Sequence, residues 1–485
     1  MASRYSGPVS LSGKSSGPRP PAARAGGRAA DRIAGGGPNA REIVVRRLTE
    51  QARLFPDLAL APLDVEGLDD RDAALAHAIF DAVIRRWITL EFLLDTALKT
   101  PVHGIEPALQ AVLLSGAAQI FFLDRVPVHA AINESVELAK RLIRPGAGPI
   151  TNAVLRKMAG LRPEAAPTAD SARLVPSNPA EVARDQLPLS DGRVLSLTAP
   201  VLPEDRLVRL AVATSHPTWL IGRWEAQFGA TDATALAYHS LCAPPTILNT
   251  AHALRPLPAV LAPHSRAGHH VFAGYRADLV RLLDERPDIW VQDPASSRAI
   301  ASAAHLEPRV IIDACAGQGT KTRQLAATFP HARIIASDTD AARFRTLESG
   351  FRDHPQVRVV PAQELLERCH GTADLLLLDV PCSNTGVLAR RAEARYRCSD
   401  TQLERLSGIQ RQIIADTLPL LRAGPRGRLL YSTCSLDHEE NRGIVEWACR
   451  WHSFRIEHQA SVQPTGLPGG LPADYQDGSY SALLA

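Results

Sequence analysis

The stretch RVIIDACAGQGTKT, residues 309–322, decides the fold of this 485-residue chain. It begins with an apolar, β-branched run that is typical of a buried strand, and Gly317 and Gly319 then permit a tight turn into a helix. Four further strand-like runs follow, separated by helical windows: RIIASD, VRVVPA, DLLLLDVPC and RGRLLYSTCS. This alternation predicts a doubly wound, mostly parallel α/β sheet with ligand sites at the carboxyl ends of its strands.

The glycine turn is similar in part to three kinds of ligand loop. A Walker P-loop requires glycines at the positions of Cys315 and Thr320, so that reading fails. A dinucleotide fingerprint starting at Gly317 requires a third glycine at position 322, where the chain has threonine. An adenosyl-binding loop needs only the first turn and a ribose acceptor, which Asp338 supplies at the end of the second strand. The alternative role of Asp338 is to cap the helix that follows.

Two cysteines stand at strand ends, Cys382 in LDVPCS and Cys434 in YSTCS. A single cysteine in such a place is usually a small buried apolar residue. Two of them, each followed by serine on a different strand of one sheet, indicate a pair of thiols that open onto the same cleft. This interpretation assumes that the fourth and fifth strands neighbour the first strand.

The N-terminal half has a different character. Apolar residues recur at three- and four-residue spacing from Arg41 to about Gly160, which predicts a compact all-α domain of five or more helices. The sequence therefore divides into a disordered basic tail (1–40), this helical domain (41–165), a proline-rich linker (166–205), a small intermediate α+β domain (206–290) and the α/β domain (291–485).

The helical domain resembles the NusB family of RNA-binding domains. The resemblance rests on VPVHAAINESVELAKRLI and PITNAVLRKMAG, with the family pattern at Pro127, Ile132, Asn133, Glu134, Asn152 and Leu155. The competing interpretation is that the two asparagines are merely helix-terminus residues.

The α/β domain resembles the cytosine-5 RNA methyltransferases. The matching motifs are VQDPASS, DACAGQGTKT, LLLDVPCSNTGVL, LLYSTCSLDHEEN and the Asp477-Gly478 pair before SYSALLA. With the helical domain included, residues from about 41 onward resemble the bacterial small-subunit rRNA methyltransferases of the Sun/Fmu type. The resemblance implies a Rossmann-like class I methyltransferase sheet, S-adenosyl-L-methionine as cofactor, and structured RNA, in particular 16S rRNA, as partner.

The resemblance also implies roles for individual residues. The thiolate that attacks carbon 6 of cytosine would be that of Cys434, and Cys382 would act in product release. Asp379 would hold the N3 edge of the base, and Lys321 would lie beside the same cleft. The implied cofactor site comprises these residues: Cys315, Ala316, Gly317, Gln318, Gly319, Thr320, Lys321, Asp338, Gln363 and Asp379.

The chain departs from the family pattern in two places. The family loop reads CAAPGGKT, whereas Gly317, Gln318 and Thr320 occupy its third, fourth and sixth positions here. Gln363 stands where the family typically has an aspartate after the third strand. The loop changes leave the backbone shape of the turn open, and Gln363 predicts weaker cofactor binding, because a neutral side chain forms weaker hydrogen bonds than a carboxylate. Neither change affects the two cysteines.

Composition limits the remaining possibilities. The formal net charge is +3, and residues 1–40 hold six basic side chains against one acid, so any RNA-binding surface is local. Seven cysteines without a C-x-x-C spacing indicate reduced thiols and no zinc module. No apolar run is long enough for a membrane span. We therefore expect a cytoplasmic monomer without a metal, and interpret the tail as a cationic arm in preference to a transit peptide.

Two other functions remain as alternatives. A non-catalytic RNA-binding factor would have the same scaffold but would have lost cofactor binding through Gln318, Thr320 and Gln363. A nicotinamide-dependent oxidoreductase is opposed by Thr322 and leaves both strand-end cysteines without a role.

Overall fold

The computed structural model describes residues 39–58, 62–163, 182–424 and 426–485. They fall into two compact units, the first of which takes residues 39–163, 183–186 and 196–223. The second takes residue 182, residues 187–195 and residues from 224 onward. The predicted basic tail up to residue 38, and residues 166–181 of the predicted linker, lie outside the described residues.

The first unit is all-α, as predicted. Its first five helices are α1 (Ala40–Leu54), α2 (Asp70–Asp95), α3 (Pro107–Phe122), α4 (Val128–Leu142) and α5 (Ala147–Leu161). Asn39 caps α1 and Asp69 caps α2 through side-chain oxygens that accept backbone N–H groups. Helix α3 is apolar on all sides and packs against the other four, so it forms the centre of this unit.

The residues of the NusB-like pattern lie inside α4 and α5. Asn133 and Asn152 are therefore not helix-terminus residues, and the interpretation that they are caps is wrong. Ile132 and Leu155 are buried, whereas Asn133 and Glu134 are exposed. Helices α4 and α5 pack directly on each other, and the apolar members of the pattern are buried there while Asn133 and Glu134 remain accessible.

A helix not foreseen from the sequence, α6 (Arg206–Thr214), packs against α2. Helix α2 departs from helical geometry at Arg86, which leaves backbone groups in need of partners. The hydroxyl of Ser215 accepts from the Ile88 N–H at 3.0 Å, and Arg86 donates to the Ala213 carbonyl at 3.0 Å. These bonds group α6 with the helical unit, although the sequence placed residues from 206 onward in the intermediate domain.

The predicted linker contains regular structure in its described part. Strands β1 (Gln186–Pro188) and β2 (Val194–Ser196) pair to form a small two-stranded sheet. Each strand has only three residues, which is too short to show the alternation of apolar and polar residues that identifies a strand in the sequence.

The intermediate region has the α+β character that was predicted. Helices α7 (Thr218–Phe228) and α8 (Ala230–His239) precede a four-stranded antiparallel sheet. The strand order is β4-β5-β3-β6, with β3 (Ile247–Asn249), β4 (Leu261–Pro263), β5 (His269–Phe272) and β6 (Trp290–Val291); α9 (Arg276–Glu285) lies between β5 and β6. Strand β6 pairs with β3, so this sheet extends across the predicted boundary at residue 290.

A seven-stranded sheet dominates the second unit. Its strands are β7 (Val310–Asp313), β8 (Arg333–Ala336), β9 (Val357–Val359), β10 (Leu375–Asp379), β11 (Arg428–Thr433), β12 (Ile456–Val462) and β13 (Ser479–Leu484). Their order is β12-β13-β11-β10-β7-β8-β9. Strands β7 to β11 are parallel, and β13 runs antiparallel to both of its neighbours, β11 and β12. This arrangement confirms the predicted Rossmann-like α/β class.

Helices accompany the strands along the chain: α10 (Pro294–Ser302), α11 (Thr320–Thr328), α12 (Ala341–Phe351), α13 (Leu365–Cys369), α14 (Ala394–Arg397), α15 (Asp400–Thr417) and α16 (Arg442–His452). Strand β10 shows why both faces of the sheet are covered. Leu376 and Leu378 belong to one buried cluster and Leu375 and Leu377 to another, so alternate side chains fill separate cores.

The assumption that both cysteine-bearing strands, β10 and β11, neighbour the first strand of the sheet, β7, is wrong for β11. Strand β10 pairs with β7, but β11 lies beyond β10 and does not touch β7. The carboxyl ends of β10 and β11 still meet, because Asp379 is in register with Ser432. Within the described part of the chain, no helix combines the length and apolar character that crossing a membrane requires.

Candidate active site

A cavity of about 1050 Å³ lies at the carboxyl ends of the parallel strands in the second unit. It includes most of the glycine turn after β7, Asp338 after β8, and both strand-end cysteines. Pockets for single small ligands are typically about 300–1,000 Å³, so this volume is large enough for a cofactor and part of a second ligand.

The two glycines of the turn have different structural roles. Both have positive φ angles, 59° at Gly317 and 89° at Gly319. The space beside Gly317 is open, and Gly317 lines the cavity together with Cys315, Ala316, Gln318, Thr320 and Lys321. Gly319 does not line it; a Cβ atom there would lie 2.3 Å from the ring of Phe351. Gly319 is thus needed for packing, whereas Gly317 leaves room for a ligand.

Asp338 is tied to this loop by its carboxylate. One oxygen accepts from the Gly317 N–H and the other from the Asp340 N–H, each at 2.8 Å. The cap of α12 is Asp340, whose carboxylate accepts from the first amide groups of that helix. The alternative that Asp338 caps the helix is therefore wrong, and Asp338 remains available at the cavity wall.

Gln363 is not brought to the cavity. It lies in a short 3-10 turn, Ala362–Glu364, where its side chain is exposed. Ala362 lines the cavity instead. Cys315 does line it, and burial, followed by the nearby carboxylates, raises the pKa of the Cys315 thiol well above its ordinary value. Cys315 is therefore protonated and unsuited to be a nucleophile.

Lys321 and Asp379 form an ion pair at the cavity. The Lys321 ammonium donates to one Asp379 oxygen at 2.8 Å, and the Ser432 hydroxyl donates to the other at 2.7 Å. Burial lowers the pKa of Lys321, but the charge of Asp379 and its hydrogen bond outweigh burial and raise it overall. Lys321 therefore stays a cation, with a second contact to the hydroxyl of Ser296 at 3.2 Å.

The two strand-end thiols meet, as predicted. The Sγ atoms of Cys382 and Cys434 are 3.2 Å apart, and neither residue is in a disulfide. The hydrogen bond with Cys434 and then burial raise the pKa of the Cys382 thiol well above its ordinary value. Cys382 is 9% exposed, whereas Cys434 is half-buried, so Cys434 is the more accessible sulfur.

A buried network holds the loop after Cys382. The carboxylate of Glu440 accepts from the Ser383 N–H at 2.9 Å and from the Gln410 amide at 3.0 Å. The Asn384 side chain contacts Cys434, with its Oδ1 3.2 Å from the sulfur. Ser383, Asn384 and Glu440 were part of the motifs quoted from the sequence, but Gln410 of α15 was not. The contacts of these residues depend on turns that spacing does not reveal.

A second cluster connects three distant segments at the cavity wall. Arg390 donates to Asp477 at 2.6 Å and to Asp293 at 3.3 Å, and the Tyr475 hydroxyl donates to Asp477 at 2.6 Å. Burial and then the charge of Asp477 raise the pKa of Asp293 to about 7. Within the described ranges, no group of three or more His, Cys, Asp or Glu residues is placed to hold a metal.

Comparisons with known proteins agree with this geometry. The family model for the 16S rRNA methyltransferase RsmB/F matches residues 303–473, and the NusB family model matches residues 39–160. The ribosomal RNA small subunit methyltransferase B of Erwinia tasmaniensis is 27% identical over 91% of this chain and 96% of its own length. A probable enzyme of the same name from Bacillus subtilis is 25% identical over 89% of this chain and 91% of its own length.

A solved structure supports the fold. The crystal structure of PH0851 superimposes with a TM-score of 0.66 at 20% sequence identity, and the match covers 91% of this chain and 98% of that one. The two family models identify residues 303–473 as a 16S rRNA methyltransferase RsmB/F domain and residues 39–160 as a NusB domain; with relatives that match over nearly their full length, the chain is an RNA methyltransferase that uses S-adenosylmethionine.

Proposed function

We propose that this enzyme methylates carbon 5 of a cytosine in small-subunit rRNA through a covalent bond between Cys434 and the base. The observation that carries the proposal is the meeting of two thiols, 3.2 Å apart, at the wall of the cavity that contains the glycine turn. The match to an enzyme family disfavours the alternative of a non-catalytic RNA-binding factor.

The residues present fit S-adenosylmethionine. Open space beside Gly317 permits close approach of a ligand to the backbone, and the start of α11 lies at the cavity, where a helix N-terminus favours a carboxylate. The Asp338 carboxylate has lone pairs left for ribose hydroxyls. The bound cofactor supplies a methyl group activated on a sulfonium. Gln363 is exposed and does not line the cavity. Ala362 does line it and is therefore the better candidate for contact with the cofactor after β9.

A thiol nucleophile solves the chemical problem that cytosine presents. Carbon 5 is weakly nucleophilic, but bond formation between the Cys434 sulfur and carbon 6 gives carbon 5 enamine character. The new carbon–carbon bond then forms at carbon 5 as the methyl–sulfonium bond breaks. Transfer of the carbon 5 proton to a base and departure of the Cys434 sulfur as a thiolate restore the aromatic ring, and we assign Cys382 to this release step.

Asp379 and Lys321 would stabilise the charge that develops on the ring. Lys321 remains a cation and forms an ion pair with Asp379 at 2.8 Å. The hydrogen bonds from Lys321 and Ser432 leave further lone pairs on Asp379 that can hold a protonated N3 edge of the adduct. Because the base must leave its stack to reach these groups, we expect an unpaired or flexible cytosine as the target.

Cysteine substitutions test this proposal directly. Cys434→Ala is expected to abolish methyl transfer to small-subunit rRNA, because no other thiol in the cavity can form the bond to carbon 6. Cys382→Ala is expected to accumulate a protein–RNA adduct that survives denaturing electrophoresis. Tritium transfer from labelled S-adenosylmethionine measures the first effect, and Cys242→Ala, outside the cavity, serves as a control for thiol loss.

Wild-type methyl transfer by Cys434→Ala would overturn the covalent mechanism. Bisulfite sequencing of rRNA from cells with and without the gene identifies the modified cytosine. Methylation at another atom, seen by mass spectrometry of the nucleosides, would overturn the assignment to carbon 5.

A further inference from the structure

The serines that follow the two strand-end cysteines also meet. The Oγ atoms of Ser383 and Ser435 are 3.0 Å apart, and both residues are buried. Cys382 and Cys434 line the cavity, whereas neither serine does. The proposed reaction uses the two sulfurs and leaves this pair of hydroxyls without a role.

Asp437 joins these hydroxyls into a cluster. Its Oδ2 accepts from the Thr385 hydroxyl at 2.7 Å and from the hydroxyls of Ser383 and Ser435 at 3.3 Å each. The Ser435 hydroxyl accepts in turn from the Asp437 N–H at 3.0 Å. A second buried carboxylate, that of Glu440, accepts from the Ser383 N–H. We call Ser383, Thr385, Ser435 and Asp437 the hydroxyl cluster; none of the four lines the cavity.

Thr385 connects the loop after β10 with the loop after β11. A hydroxyl has one proton to donate, so donation to Asp437 directs its lone pairs at the Leu436 N–H, which lies 2.9 Å away. The next residue, Gly386, donates its N–H to the Cys434 carbonyl at 2.9 Å. Thr385 is only 2% exposed, so water cannot easily replace its hydroxyl. Loss of the hydroxyl would leave a buried N–H group and a buried carboxylate oxygen each without this partner.

The relative position of the two loops affects the two steps of the proposed reaction differently. Attack on carbon 6 uses the Cys434 sulfur, which belongs to one loop. Release also uses the Cys382 sulfur, which belongs to the other loop and lies 3.2 Å from the first sulfur. A small displacement of a reacting group can slow a step strongly, so a shift between the loops should slow release more than attack.

We propose that Asp437 and Thr385 are positioning residues that hold Cys382 at the distance from Cys434 that the release step requires. The inference rests on the proposed function, in which Cys434 attacks the base and Cys382 acts in release. It also gives a physical reason for the Cys-Ser sequence of both loops. The sulfurs meet at the cavity, and the hydroxyls that follow them join the loops behind its wall.

Single-turnover time courses with the full-length protein and small-subunit rRNA test this role. The protein–RNA adduct that survives denaturing electrophoresis increases with attack and decreases with release, so one experiment gives both rate constants. Thr385→Val keeps the shape of the side chain and removes the hydroxyl. Its adduct should form at the wild-type rate but decay roughly five- to tenfold more slowly, the size expected for one net hydrogen bond.

Three further variants identify the cause of such an effect. Thr385→Ser keeps the hydroxyl and loses the methyl group, so its adduct should decay as in wild type; a role in packing alone would make this variant the slower of the two. Asp437→Ala removes the shared acceptor and should slow decay as Thr385→Val does. Thr346→Val removes a hydroxyl bonded within α12 and should behave as wild type. If Asp437→Ala does not fold, as judged by circular dichroism, the two Thr385 variants still decide.

Wild-type adduct decay in Thr385→Val would overturn the inference, and so would equal slowing of adduct formation and decay. Cys382→Ala and Cys434→Ala are measured in parallel to separate these results from failure of the proposed function. If Cys382→Ala accumulates adduct and Thr385→Val does not, only the role of the hydroxyl cluster is lost. If Cys434→Ala still transfers the methyl group, the covalent mechanism fails, and this inference fails with it.

Discussion

Asp379 shows how a single side chain at a strand end is prepared for its task. The Ser432 hydroxyl holds one carboxylate oxygen at 2.7 Å, and the register of β10 against β11 places the two residues opposite each other. The hydroxyl is buried, so water cannot easily replace it. Ser432 therefore fixes the direction of the carboxylate without touching the cavity itself.

Ser432→Ala is expected to lower kcat of methyl transfer roughly five- to tenfold, because one net hydrogen bond contributes about 1 kcal/mol. Cofactor affinity should not change, since Ser432 does not line the cavity. Steady-state kinetics on small-subunit rRNA and calorimetric titration with S-adenosylmethionine measure the two quantities. Ser302→Ala, which removes a hydroxyl bonded within α10, is the matched control. Equal kcat values in the two variants would contradict the positioning role.

At the residue scale, the sequence showed which residues carry the chemistry better than it showed which residues contact each other. The pairing of Cys382 with Cys434 follows from strand ends that meet, so it was predictable. The choice between Asp338 and Asp340 as the helix cap was not, because it depends on where α12 begins. The contact between Asn384 and Cys434 depends on a left-handed turn, which no spacing of residues encodes.

At the scale of elements, the turn between β7 and α11 combines packing with ligand access. Gly319 lies against Phe351 of α12, and Gly317 faces open space. Short strands and isolated helices are harder to foresee than this motif. The β1–β2 pair and α6 were missed, because the strands have three residues each and α6 owes its position to contacts with α2. The long apolar runs of β7, β10 and β11 were predicted, because the side chains on both faces of these strands are buried.

Alanine substitutions should separate the two functions of the turn. Gly319→Ala is expected to lower the free energy of unfolding by about 2–3 kcal/mol, since its methyl group would overlap the Phe351 ring at a φ of 89°. Gly317→Ala should cost only about 1–2 kcal/mol of backbone strain but weaken S-adenosylmethionine binding at least tenfold. Denaturant titration and calorimetry measure these effects. Unchanged cofactor affinity in Gly317→Ala would contradict the placement of the cofactor beside this loop.

At the scale of the whole molecule, charge is distributed unevenly along the chain. The excess of basic side chains in residues 1–40 is larger than the net charge of +3, so the remainder of the chain is slightly acidic. An enzyme with an acidic body that binds RNA must concentrate its cations locally. The tail is one such concentration, and its six basic side chains all precede Asn39, the cap of α1.

Deletion of residues 1–38 is expected to weaken RNA binding several-fold and to flatten its dependence on salt, because fewer counterions are released. The cut leaves Asn39 in place, so α1 keeps its cap. Filter binding at several salt concentrations measures both effects, and turnover at saturating RNA should persist. A full-length variant with a shuffled tail of the same charge is the control. Equal salt slopes for the deleted and wild-type proteins would contradict an electrostatic role.

The position of β13 has a consequence for synthesis of the protein. Although β13 follows β12 in sequence, it lies between β12 and β11. Until Ser479–Leu484 leave the ribosome, a nascent chain presents the bare edge of β11 to other chains and offers β12 no place in the sheet. Asp477 and Gly478, which contact Arg390 and Gly386, emerge only just before them. We therefore expect the catalytic cavity to mature only after Ser479–Leu484 have emerged, when the helical unit has already had time to fold and engage RNA.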